Sequence, residues 1–190
     1  MGRFILKSVA ILAVALLSAC GPTKIGVVKA PDFNERIAGA TLVLKSTKVV
    51  DAPAGALGAK ADKALAEFTK VAQAGLPKLA SGDGFAPKLV TVADPDFTRD
   101  GYRKVAGLAG STPPRHFLIV QPHRMQTRCT ATCRSTITVV TSVFDTKLDK
   151  EVWQMSADIP EKSGLHQYDN ADLEAYWLLV VGQLKENGLL

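Results

Sequence analysis

Cys129 and Cys133, with three residues between them, are the side chains whose type and spacing most invite joint chemistry. Two neighbouring thiols can form a disulfide, act as a redox pair or supply half of a zinc site. The C-x3-C spacing is not the C-x-x-C of thioredoxin-like enzymes, and no second ligand pair stands nearby in the sequence. A structural disulfide is therefore the favoured reading. Arg124, Arg128 and Arg134 surround the pair, and Arg115 precedes them. Such a cluster is either a solvated face or a contact for an acidic partner, lipid head groups or a glycan phosphate. The three histidines, His116, His123 and His166, are scattered and match no metal-binding motif. No nucleophile elbow, H-E-x-x-H, phosphate-binding loop or dinucleotide fingerprint occurs. Asp94, Asp96, Asp100 and Gly101 fall out of calcium-loop order, with Pro95 among them. No catalytic residue, metal or cofactor is expected.

The compartment follows from the start of the chain. Arg3 and Lys7 precede an apolar run from Val9 to Leu17, and small residues follow at Ser18 and Ala19. This is the pattern of a secretory leader, too short to span a bilayer as a helix. Leu17-Ser18-Ala19-Cys20 resembles the bacterial lipobox, which implies cleavage after residue 19 and acylation of Cys20. Gly21, rather than Asp, follows that cysteine; by resemblance to enteric lipoproteins this implies the outer membrane, facing the periplasm. With Cys20 assigned to lipid, Cys129 and Cys133 remain as an even pair in an oxidising compartment.

Loss of Arg3 and Lys7 with the leader lowers the formal charge from +5 to +3. So mild an excess gives no reason to expect nucleic acid. After the leader at 1–19, residues 20–38 read as the lipidated cysteine and a tether, and 39–190 as one domain.

Thr41–Leu44 and Lys48–Val50 read as a first strand region. Leu57, Ala61, Leu65, Phe68, Ala72 and Leu76 recur at helical spacing and predict a helix over about 59–79. A strand at 88–93, a loop from Asp94 and one small helix before Pro113-Pro114 follow. Strands are predicted at 116–128, 134–144 and 152–159. The last helix, about 171–186, takes Asp169 or Asn170 as N-cap and Asn187-Gly188 as stop. Leu173, Trp177, Val180, Val181 and Leu184 make its apolar side.

Placing Cys129 opposite Cys133 tests the hairpin register. It sets Met125 against Ile137, His123 against Val139 and Ile119 against Val143, an apolar face with His123 at its edge. Arg124 then faces Thr138, Gln126 faces Thr136 and Arg128 faces Arg134 on a polar face. On that register His116 and His123 point to opposite faces and cannot share a metal.

The stretch Ser135 to Asp145, a charged turn, and then Glu151-Val152-Trp153 resembles a pattern in small envelope lipoproteins. These have a domain like the amino-terminal domain of the translocation protein TolB, the penicillin-binding-protein activators or CsgG-like proteins. Thr146–Lys150 departs from the Thr-Gly turn often found there. The resemblance implies binding and assembly rather than catalysis.

The expected fold is α+β, an antiparallel or mixed sheet of four to five strands with two long helices on one face. The expected function is a non-enzymatic accessory, binding another envelope protein or complex through Arg124, Arg128 and Arg134. The protein would hold the membrane by its lipid anchor and use no cofactor. A carrier of a hydrophobic ligand and an envelope enzyme with an unrecognised site are the alternatives.

Overall fold

Leu42-Val43-Leu44, at the centre of Thr41–Lys45, puts apolar side chains on both faces, the pattern of a strand covered on both sides, and the strand is buried throughout. In the computed structural model, the described residues are 22–37, 39–45, 56–92, 105, 107, 114–129, 133–161 and 168–190. They form β1 (Thr23–Lys29), β2 (Thr41–Lys45), α1 (Ala56–Gly82), β3 (Ala86–Val92), β4 (His116–Cys129), β5 (Cys133–Asp145), β6 (Lys150–Pro160) and α2 (Asn170–Glu186). The strands make one six-stranded mixed sheet in the order β1-β6-β5-β4-β2-β3. β2 lies parallel to both β3 and β4, and β4, β5, β6 and β1 pair antiparallel.

Alternation along the strands sends Leu42, Leu44, Leu118, Val120, Ile137, Val139, Val143 and Met155 to one face, where both helices pack. α1 brings Ala61, Leu65, Phe68, Ala72 and Leu76, five of the six residues of the predicted stripe (the Leu57 side chain lies outside the described residues), and α2 brings the five predicted residues plus Tyr176. On the other face Val43, Val90, Phe117, Ile119 and Phe144 gather under Val105 in a smaller cluster.

The ends of the helices follow from their sequence. Asp169 caps α2 by accepting from the Asp172 N–H, and the Asp172 side chain accepts from the Asp169 N–H, a reciprocal capping box. At the other end Gly188 takes φ +70°, and Leu189 N donates to the Leu184 carbonyl at 2.9 Å. That left-handed residue and the six-to-one bond form a Schellman stop, with Leu189 buried beneath it. α1 continues through Pro77 to Gly82, three residues beyond the expected end. Phe85 N then donates to the Ala80 carbonyl around Gly84, at φ +82°.

Three expectations change. Residues 23–29 are not tether but an edge strand, and after them Phe33 and Ile37 are 2% and 0% exposed. A bulge at Ile25 breaks the alternation of β1, which hides the strand from a period-two reading. The sheet therefore has six strands instead of four to five. The hairpin register holds from the cysteines back to Arg124–Thr138, then slips. His123 is the extra residue of a bulge, so Pro122 pairs with Val139, and Ile119 pairs with Ser142 instead of Val143. His123 is exposed rather than at a core edge. Lys48–Val50, the Asp94–Gly101 loop and His166 lie outside the described residues.

Candidate functional site

The register places the predicted cluster at one end of the sheet. Thr23, Asp158, Thr138 and Arg124 form a single row across β1, β6, β5 and β4. From that row β4 and β5 run on to Arg128–Arg134 and Cys129–Cys133, directly opposed. Opposed residues of an antiparallel pair have Cα atoms about 4.5–5.5 Å apart, within the reach of a disulfide. The side chains of Arg128, Cys129, Cys133 and Arg134 lie outside the described residues. Arg124 is exposed, and beside it Thr138 donates to Asp158 Oδ1 at 2.6 Å. Thr127 and Ser135 bond through their hydroxyls further out, at 3.1 Å.

Towards the Arg124 end, the sheet face carrying it is largely polar along β4, β5 and β6, whereas its other end holds the cluster under Val105. Gln121, Thr138, Val140, Gln154 and Ser156 are partly exposed on it. β1 continues that face with Val28, 69% exposed, because Val27 turns towards the helices. Ile25, in the bulge, is 58% exposed. No described strand covers the outer edge of β1.

The opposite end of the sheet holds a polar knot. Asp145 closes β5 with a fully buried carboxylate. Its Oδ1 accepts from Lys147 N at 2.8 Å and Leu148 N at 2.9 Å, shaping the β5–β6 turn. Asp149 takes the left-handed position of that turn at φ +53°, a conformation that Asp tolerates better than most residues. Asp145 Oδ2 lies 3.1 Å from His116 Nε2 and 3.3 Å from Arg115 Nη2, and Arg115 reaches Glu35 at 2.5 Å. Burial pushes the Asp145 carboxyl up, but the Leu148 and Lys147 N–H groups and the His116 and Arg115 charges outweigh it. The net result lies below the usual carboxylate range. A carboxylate with both oxygens so occupied anchors a turn and is poorly placed to take a proton. The sequence reading missed this knot, although the strand-ending Asp145 was a visible signal.

A second titratable group surrounds Tyr168, beneath α1 and α2. Burial, with Glu161, Asp172 and Glu67 nearby, raises the phenol far above its ordinary value, so it remains protonated. Tyr176 is likewise raised by burial and shares a hydrogen bond with Thr141. Among the described residues, no three His, Cys, Asp or Glu side chains gather as a metal site.

No family model and no curated protein matches the chain. Among solved structures it is similar to a PelC dodecamer from Paraburkholderia phytofirmans: 11% identity, TM-score 0.43, covering 89% of this chain and 99% of that one. It is similar also to lipoprotein GNA1162 from Neisseria meningitidis: 16% identity, TM-score 0.43, covering 77% and 99%. Protein XCC0632 from Xanthomonas campestris, described under DUF330, shares 11% identity at TM-score 0.32, covering 88% and 91%. Likeness at this level carries no argument about what the present chain does.

Proposed function

We propose that the chain is a lipid-anchored bacterial envelope protein that binds another envelope protein and performs no chemistry of its own. The observation that carries this reading is the edge strand β1, whose outer edge no described strand covers and where Ile25 and Val28 stand 58% and 69% exposed beside a polar sheet face. A strand edge with apolar side chains is a template for a further strand unless something covers it. Cys20 supplies the lipid anchor, and Gly21 after it supports an outer-membrane location. The partner needs neither cofactor nor nucleic acid.

A photo-reactive residue replacing Val28 in cells should yield one dominant adduct with an envelope protein, identified by mass spectrometry. Lack of any protein adduct, with the chain exported and folded, would sink this reading. Adding Ile25→Lys on the same strand should weaken that adduct at least about tenfold, because a charge on a strand edge opposes pairing.

Cys129 and Cys133 form a disulfide in this reading. It closes so short a loop that chain entropy assigns it only about 2 kcal/mol. Replacing both by serine should lower the unfolding free energy, read from denaturant titration, by that amount. A stability unchanged within error, with no thiol protected in the wild type, would exclude the disulfide.

A further inference from the structure

β1 begins at Thr23, so the acylated Cys20 of the proposed function stands three residues from the sheet, a reach of at most about 10 Å. The domain is therefore held close to the membrane by one particular end. That end is set by the register row Thr23–Asp158–Thr138–Arg124. Because β1 enters the sheet at Thr23 and runs away from this row, the anchor and the β4–β5 tip leave the sheet at the same end. Arg124 is three strand spacings from Thr23, roughly 14 Å. Cys133 lies five residues beyond Thr138, so the tip extends roughly 17 Å past the row. The tip thus reaches at least as far in that direction as the anchor can.

Charge agrees with position. Residues 116–134 contain three cations, Arg124, Arg128 and Arg134, and no Asp or Glu. Cations at the opposite end are answered locally, Arg115 by Glu35 and Asp145, and Lys150 by Asp32 at 3.1 Å. In the register row, Asp158 is engaged by Thr138, between the anchor strand and Arg124.

We infer that the β4–β5 hairpin, through Arg124, Arg128 and Arg134, docks on the anionic phospholipid head groups of the leaflet that holds the Cys20 lipid. The membrane, and not a protein, occupies this end, which leaves the open face and the β1 edge for the partner. Docking fixes the orientation of a domain that a lipid alone would leave free to tumble. Each arginine near an anionic surface contributes about fivefold to the docked population, and the effect falls off within a Debye length.

The test uses the acylated, leader-free protein in phosphatidylcholine vesicles with and without phosphatidylglycerol, with a photo-reactive residue replacing Gln126. Lipid adducts should rise with phosphatidylglycerol, fall at least about tenfold in 0.5 M salt, and fall similarly in the Arg124→Glu, Arg128→Glu, Arg134→Glu triple variant. Should that variant fail to fold, Arg124→Gln alone should lose about fivefold. The same residue replacing Leu148, at the far end of the sheet, should give no lipid adduct. Adducts independent of anionic lipid and salt, equal adducts from Leu148, or a single protein adduct from Gln126 in cells would each overturn the inference. The proposed function is tested separately, by the Val28 adduct in cells and by the mass of the amino-terminal peptide.

Discussion

Asp145→Ala lowers the melting temperature by about 6–12 °C, since a loss near 3 kcal/mol shifts a domain of this size by about 2–4 °C per kcal/mol. The carboxylate is fully buried and receives four partners, two turn N–H groups, His116 and Arg115. Removing one member of a buried charge group costs about 3–5 kcal/mol, because the others lose their answer while still desolvated. Arg115 keeps Glu35 and is 39% exposed, which holds the loss to the lower part of that range. pH separates this role from simple packing. The folded carboxyl sits below its ordinary value, so its contribution is present above an unfolded value near 3.9 and disappears as pH falls towards the folded one. Wild-type stability should therefore decline on acidification below about pH 4, and Asp145→Asn should flatten that decline. A shift under about 2 °C for Asp145→Ala, with an unaltered acid profile, would remove the knot from the stability of the fold.

What could be read in advance divides along physical lines. α2 was legible almost residue by residue, because an N-cap, a 3.6-residue apolar stripe and a glycine stop are all local signals in the chain. The outer half of the hairpin was legible too, since one assumption at the cysteines sets every pair as far as Arg124–Thr138. The bulge at His123 was not, as an inserted residue changes parity without altering composition. β1 was lost for the same reason, and also because an edge strand buries little of itself: Thr23 to Gly26 are exposed, and only Val27 packs on the core. The Asp145 knot joins Glu35, Arg115, His116 and Asp145 from three separate segments. Nothing local in the sequence brings Glu35 to Arg115. The orientation of the basic hairpin towards the anchor was hidden behind the same error, for it appears only once Thr23 is placed in the sheet.

Trp177→Ala is the larger of the two losses, about 4 kcal/mol, or roughly 8–16 °C in melting temperature. Trp177 is 2% exposed on the buried side of α2. Its ring meets Phe85 edge-on at 5.5 Å, and its Nε1 donates to Asp83 Oδ2 at 2.8 Å. It therefore ties the last helix to the segment where α1 turns into β3, and that segment precedes the parallel pairing of β3 with β2. Alanine would leave a cavity too far within the layer for the helix to close over. Trp177→Phe separates the terms, keeping most of the apolar contact and losing the hydrogen bond, for about 1 kcal/mol. Leu178, the next residue on α2, is 71% exposed, and its replacement by alanine should stay within about 0.5 kcal/mol. The contrast between adjacent residues tests the seating of α2 directly. If Trp177→Ala and Leu178→Ala melted together, the helix would not present to the sheet the face that its apolar spacing dictates.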